Sequence, residues 1–428
     1  MRAKPTSLTL ILAALLGFAC TVAATYPGIV SYDSVAQWEQ AISADYSDWH
    51  PPIMAWLWSW LSPQTLGPRA LFVLQMALYW GAFLSVACAL RERAGWVLAC
   101  ALLPFTLNFS FVIWKDVWMA IMFALSAASA IHALTATRRW PWLTLAALAL
   151  IGALLFRANA LFAAPPLVWL ALRAGWPKRP VLALLAAAPL SVLALLIAQN
   201  SIHALTQPKP TYPSQFIMVD DLFWMSAERN LLPAYVGANP DQLKAGVQRC
   251  RATALYLCPE LQFKRWITHD KGEYNQLRRK WREALLDDPR AYATRRWQTF
   301  ALLMRSPSQA PYEIIQTYNY EPNPQALGFT PNLAGRAVLG YVRISAQALP
   351  ELFKPYFWLL IGGLALVIAF KRRANGDLNW PIPLALAGSG VTYLLGYALA
   401  SQAADFRYAY WSIWAILFAV VALTRRAR

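Results

Sequence analysis

The chain has 428 residues, of which 58% are hydrophobic and only 14% charged; soluble globular proteins carry about 45–50% apolar and about 25% charged residues. That balance excludes an ordinary soluble domain. The net charge of +17, from 38 Lys and Arg against 21 Asp and Glu, would suit a nucleic-acid binder, but in so apolar a chain it is first a signal of membrane topology. The five cysteines and four histidines are scattered, with no metal-ligand spacing and no disulfide framework, so zinc and redox chemistry are not indicated.

Taken in chain order, apolar runs long enough to cross ~30 Å of hydrocarbon occupy residues 8–24, 69–90, 96–113, 117–137, 141–156, 158–172, 181–199, 353–370, 381–400 and 407–424. They predict an all-α polytopic membrane protein with about ten transmembrane helices. Every second gap is basic: Arg2 and Lys4, Arg91 and Arg93, Arg138 and Arg139, Arg173, Lys178 and Arg179, Lys371, Arg372 and Arg373, then Arg425, Arg426 and Arg428. These gaps hold 15 basic residues against Glu92 and Asp377. By the positive-inside rule these loops and both termini face the cytoplasm. The first run, Leu8 to Ala24, is also compatible with a cleaved signal peptide ending at Val22-Ala23-Ala24. Cys20 reads as an ordinary residue of that run.

The expected organisation is therefore an N-terminal membrane module over 1–199 with seven spans and an outer loop at 25–68, an outer insert over 200–351, and a C-terminal module over 352–428 with three spans. The insert is polar and rich in Pro, Tyr and Arg, is long enough for a small domain of its own, and carries helical patterns at Gly272 to Leu286 and Pro289 to Met304. An oxidising compartment would permit a bridge between Cys250 and Cys258. On one continuous helix, however, their spacing would hold them about 12 Å apart, too far to bond. Both outcomes stay open.

Charge near a membrane is costly and usually has a task. The first outer loop carries Asp33 in Tyr32-Asp33-Ser34, then Asp48 and His50 in Asp48-Trp49-His50-Pro51-Pro52, before a Trp-rich segment suited to the headgroup zone. Lys115 and Asp116 open the span after the next outer turn, Arg157 sits with Asn159 in another, and Asp405-Phe406-Arg407-Tyr408 precedes the last. Carboxylates beside fixed cations at one depth are what acid–base chemistry on an anionic lipid-linked substrate requires. Each residue also has a plainer reading. Asp33 would cap a helix beginning near Ser34, Asp116 would face a helix dipole, and the cations would anchor at the interface.

The order Tyr32-Asp33-Ser34, His50-Pro51-Pro52, Trp114-Lys115-Asp116 and Arg407-Tyr408 resembles the GT-C superfamily of integral-membrane glycosyltransferases. Its distant relatives include the protein O-mannosyltransferases and the aminoarabinose transferase that modifies lipid A. Pro289-Arg290-Ala291-Tyr292 with Arg295, Arg296 and Phe300 resembles an outer-domain helix of such bacterial enzymes. Two departures stand out: Ser34 follows Asp33 where the O-mannosyltransferases pair Asp with Glu, and the Trp-Trp-Asp signature of oligosaccharyltransferases is missing.

The resemblance implies a bacterial inner-membrane enzyme with a GT-C fold and a periplasmic site, moving one sugar from a polyprenyl phosphate to an envelope glycan, lipid or protein. It implies Asp33 as base and Asp116 as second carboxylate. Lys115, Arg157 and Arg407 would hold the donor phosphate, with His50, Arg295 and Arg296 as further candidates. Asp48, Tyr312, Tyr318 and Tyr320 are candidates for the acceptor side, the tyrosines because aromatic faces stack on sugars. No cofactor is needed, although Asp33, Asp48 and His50 offer a possible divalent-metal set. The alternatives are a whole-glycan ligase using a polyprenyl diphosphate and a flippase or transporter for lipid-linked sugars. Partners are the lipid-linked sugar, its acceptor and membrane lipids, not nucleic acid; the absence of a GxxxxGK[ST] loop argues against a nucleotide-sugar donor.

Overall fold

The structure, a computed structural model, describes residues 7–229, 240–250, 255, 258–305, 315–319, 327–401 and 403–424. Among these, regular structure is helical apart from two isolated parallel bridges, Ile29 with Val112 and Ser47 with Lys209. Six described helices are long and apolar enough to cross a membrane: Ser7–Thr25, Arg69–Leu90, Lys115–Thr135, Pro180–Thr206, Pro381–Ala400 and Phe406–Leu423. The chain is an all-α membrane protein.

The remaining expected crossings take other forms. Trp140–Phe156 is a single apolar helix of 17 residues, and Pro355–Ala374 has 20 residues with Lys371, Arg372 and Arg373 in its last turn. The 158–172 run is divided into a 3-10 turn, Ala158–Phe162, and the helix Ala164–Gly175. The 96–113 run is not one helix but two of 7 residues each, Ala94–Cys100 and Pro104–Ser110, each about 10 Å long. Proline explains the break: Pro104 has no N–H to continue the preceding helix and a fixed φ suited to starting the next.

The Lys115–Thr135 helix is the most enclosed. It packs against the helices Arg69–Leu90, Trp140–Phe156 and Ala164–Gly175 and against the last span, with Ala120, Ala124, Ala127 and Ala128 allowing close approach. Hydroxyl groups tie neighbouring helices where no water competes. Ser389 donates to the Ala163 carbonyl at 2.7 Å and Ser412 to the Gly390 carbonyl at 2.7 Å. Gly390 is needed at that crossing, since a Cβ there would lie 3.0 Å from the Ser412 carbonyl oxygen. Ser7–Thr25 and Pro180–Thr206 instead point Leu12, Leu15, Leu16, Leu184, Leu185 and Leu193 outward. In water such a face would drive aggregation, and in hydrocarbon it is the expected surface.

The insert builds a second, separate core around Phe223, Trp224, Phe263 and Leu277. Its helices include Gln215–Arg229, Lys271–Asp287 and Pro289–Met304. The two sequence-predicted helices start at side-chain caps: Asp270 accepts from the Glu273 N–H at 2.8 Å and Asp288 from the Ala291 N–H at 3.0 Å. Cys250 and Cys258 are bridged, with Cα atoms 5.9 Å apart. Cys250 follows the end of the helix Pro240–Arg249 and Cys258 precedes the turn Pro259–Leu261, so the single-helix geometry that would separate them does not arise. Closing so short a loop constrains the unfolded chain by about 2.5 kcal/mol. Cys250→Ser should lower the insert's unfolding free energy by that amount in denaturant titrations under oxidising conditions. Under reducing conditions it should match the unsubstituted protein.

Candidate active site

Two outer segments far apart in sequence are stitched together first. The Ile29 N–H donates to the Phe111 carbonyl at 2.8 Å and the Ile113 N–H returns to the Ile29 carbonyl at 3.0 Å. Next to this, Ser31 and Ser34 form a reciprocal capping box at the start of the helix Tyr32–Ser43. The Ser34 hydroxyl donates to the Ile113 carbonyl at 2.7 Å, and the Trp114 indole donates to Ser31 Oγ. Ser31 is therefore the cap. Asp33, which the sequence alone also allowed in that task, is left free to point its carboxylate elsewhere.

That carboxylate meets charges from three other segments. Arg407 Nη1 lies 2.8 Å from Asp33 Oδ2, and His50 Nε2 lies 3.5 Å from Oδ1. His50 Nδ1 contacts the Lys115 ammonium; an ammonium only donates, so Nδ1 accepts and Nε2 carries the proton towards Asp33. Burial alone would raise the Asp33 pKa, but Arg407, followed by His50 and Lys115, outweighs it and holds the carboxyl well below its ordinary range. Burial, reinforced by Lys115 and opposed by Asp33, lowers His50, which keeps the imidazole neutral near pH 7. Arg407 also reaches Asp405 Oδ2 at 2.7 Å and lies over the Trp114 ring, 4.4 Å from its centroid, a cation–π contact that fixes the guanidinium plane.

A second ion pair completes the group. Asp116, with a side chain 1% exposed, binds Arg157 through Oδ1, while its Oδ2 is buried without a hydrogen-bond partner. Arg157 Nε donates to Asn159 at 3.2 Å, and Asn159 donates to the Tyr397 hydroxyl at 2.8 Å. Arg157 also lies 5.0 Å from the centroid of the Tyr408 ring, which stacks on Tyr397.

A cavity of about 540 Å³ opens beside this cluster. Lys115, Arg157, Asn159 and Tyr408 belong to its lining, and Leu154 and Ile202 supply apolar wall from the helices Trp140–Phe156 and Pro180–Thr206. A lining that combines two cations with apolar side chains suits an amphipathic anion. Asp33 and Arg407 lie next to this cavity rather than in its lining, linked to it through His50 and Lys115. The Asp33 side chain is 17% exposed against 1% for Asp116, so of these two Asp33 is the one that an external hydroxyl can reach.

The structure thus brings Asp33, His50, Lys115, Asp116, Arg157 and Arg407 together. It does not bring in the others. Arg295 is fully buried and grips Asp220 with two hydrogen bonds of 2.8 Å. Arg296 binds Asp221, lies 3.3 Å from Asp220 and donates to the Ser401 carbonyl at 2.8 Å. Both guanidinium groups are thereby placed in the framework of the insert and its junction with the loop before Arg407. Burial, only partly offset by Arg296, raises the Asp221 carboxyl to about 6. Asp48 lines the cavity, but its Oδ1 accepts from the Thr211 backbone and, at 2.6 Å, from its hydroxyl, clasping the first loop to the start of the insert. Asp33, Asp48 and His50 consequently do not gather as a ligand set, and no three His, Cys, Asp or Glu side chains do so among the described residues. Tyr318 is exposed and away from the cavity; Tyr312 and Tyr320 lie outside the described residues.

Sequence reasoning passed over Tyr397, and Gln199 and His203 on the cavity wall. Each has a signal: Tyr393 and Tyr397, like Gln199 and His203, are polar residues four apart in an apolar run and so share one helix face. No protein-family model, curated protein or solved structure matches the chain.

Proposed function

We propose that the chain is an inner-membrane glycosyltransferase of GT-C type, with ten crossings, cytoplasmic termini and a periplasmic site, moving one sugar from a polyprenyl phosphate to an envelope acceptor. The observation that carries this reading is the convergence of a partly exposed, ionised Asp33 with buried cations beside a cavity whose lining combines Lys115 and Arg157 with apolar side chains. The acceptor hydroxyl loses its proton to Asp33 as its oxygen attacks the anomeric carbon. The bond from that carbon to the phosphate oxygen breaks, and the electron pair leaves on the phosphate, inverting the centre.

Lys115 and Arg157, which line the cavity, receive the phosphate charge. Fixed charges aimed at developing charge supply most of the rate gain in many such steps. Asp116 holds Arg157 in place, and neutral His50 spans Lys115 and Asp33, aligning the two halves. Arg407, which faces Asp33 and Asp405 and is not in the cavity lining, acts on the base rather than on the phosphate. The reading is tested first in cells: the masses of envelope glycans and surface proteins should differ between a deletion strain and its parent. Identical profiles would refute it.

The cations then separate by kinetics. Lys115→Gln removes a charge-assisted hydrogen bond of about 1.5–3 kcal/mol, so the KM for the polyprenyl-phosphate sugar should rise by about 10–100-fold. Arg407→Gln should lower kcat with little change in that KM, because Arg407 faces Asp33 and not the cavity. Equal effects of the two changes on KM would place Arg407 at the phosphate after all.

A further inference from the structure

At the opposite, basic end of the bundle a second cleft opens between the helices Ala164–Gly175, Pro180–Thr206, Pro355–Ala374 and Pro381–Ala400, with a volume of about 660 Å³. Arg173 stands in the last turn of the first helix and Arg373 in the last turn of the third, while Trp380 immediately precedes the fourth. These three line the cleft's basic end. From there it runs along Leu184, Leu366 and Phe370; Leu366 is seven residues before Arg373, about 10 Å along the helix.

The two arginines that line the cleft are not neutralised. No carboxylate pairs with Arg173 or Arg373 among the described residues, although neighbouring Arg372 does pair with Asp377 at 3.1 Å. Arg173 Nε is buried with no hydrogen-bond partner, and an orphaned guanidinium nitrogen at the head of an apolar cleft calls for an anionic acceptor. Arg373 is held 5.1 Å from the centroid of the Trp380 ring, so its position is fixed without a counter-ion. Tryptophan at this depth marks the water–hydrocarbon boundary.

We infer that this cleft is a binding site for an anionic phospholipid, its phosphate between Arg173 and Arg373 and one acyl chain along Leu184 and Leu366. Basic pockets between spans at the positively charged face recognise anionic headgroups in this way. The inference does not rest on the transfer reaction, and its failure would leave that reading untouched.

Native mass spectrometry of the full chain in detergent, titrated separately with phosphatidylglycerol and phosphatidylcholine, tests it. The unsubstituted protein should bind one phosphatidylglycerol about 10–30-fold more tightly than phosphatidylcholine. Arg173→Gln with Arg373→Gln should erase that preference. Lys178→Gln with Arg179→Gln, at the same end but outside the cleft, should keep it. Ala188→Trp fills the cleft from an exposed position and should reduce binding of both lipids, giving a reading even if the double arginine variant fails to fold. Equal binding of the two lipids, a preference that survives loss of both arginines, or the same loss in the Lys178 and Arg179 variant would overturn the site. So would retention of polyprenyl phosphate in place of phospholipid, or a dimer that Ala188→Trp dissociates, which would assign the cleft to a second copy.

Discussion

Replacing Asp33 by Asn should reduce sugar transfer by about 10²–10⁴-fold, the usual contribution of a positioned base, while the protein still inserts and purifies as a single species. Asn keeps the shape of the side chain and cannot take a proton. The local fold does not depend on the carboxylate, because Ser31 and Ser34 cap the helix and Ser34 ties it to Ile113. Arg407 retains Asp405 at 2.7 Å. A base held so far below its usual range is weak towards a free alcohol. It accepts the proton as the new bond to the anomeric carbon forms and makes the hydroxyl acidic, which fits a direct displacement.

The same shift sets the pH behaviour. A carboxyl whose folded pKa is depressed stabilises the protein fully above its unfolded value, near 3.9. It loses that contribution as the pH falls through the lower folded value. The stability difference between the unsubstituted protein and Asp33→Asn should therefore close only in strong acid. For transfer, Asp33 supplies no pH limb near neutrality, and a limb from the lowered His50 falls below its ordinary 6.5. Full activity in Asp33→Asn would move the base elsewhere.

The membrane class of this chain was legible in composition, because 58% hydrophobic residues cannot be hidden in a soluble core of this size. The meeting of Asp33, Lys115, Arg157 and Arg407 was legible as well, because alternation of basic gaps placed all four loops on one side. What the sequence could not show was which cations were already engaged. Arg157, though paired with Asp116, still lines the cavity; Arg295 is drawn away from it by Asp220, 75 positions earlier in the chain, and no local pattern announces a partner at that separation. Asp48 was lost to Thr211 for the same reason, 163 positions away. The break in the 96–113 run, by contrast, was marked by Pro104; the apolar average over the window outweighed a single residue that forbids a continuous helix. The cap at Ser31 was open to reading too, since Ser31 and Ser34 are three apart, the spacing of a capping box.

Asp116→Ala should be the most destabilising change at the site, costing about 3–5 kcal/mol, because removing one partner of a buried ion pair leaves the other charge without compensation. Arg157, with a side chain 14% exposed, would keep only Asn159 and the Tyr408 ring. Asp116→Asn should cost less, since the amide oxygen still accepts from the guanidinium. Removing both partners, as Asp116→Ala with Arg157→Leu, should restore much of the lost stability, because no buried charge is then stranded. Thermal unfolding in detergent reads this directly. Activity should follow the opposite rule. If Arg157 binds the donor phosphate and Asp116 only holds it, the double variant is stable again and still inactive, and Asp116→Asn keeps measurable transfer with a raised donor KM. A double variant that regains transfer along with stability would show the pair to be structural. The phosphate would then rest on Lys115 alone.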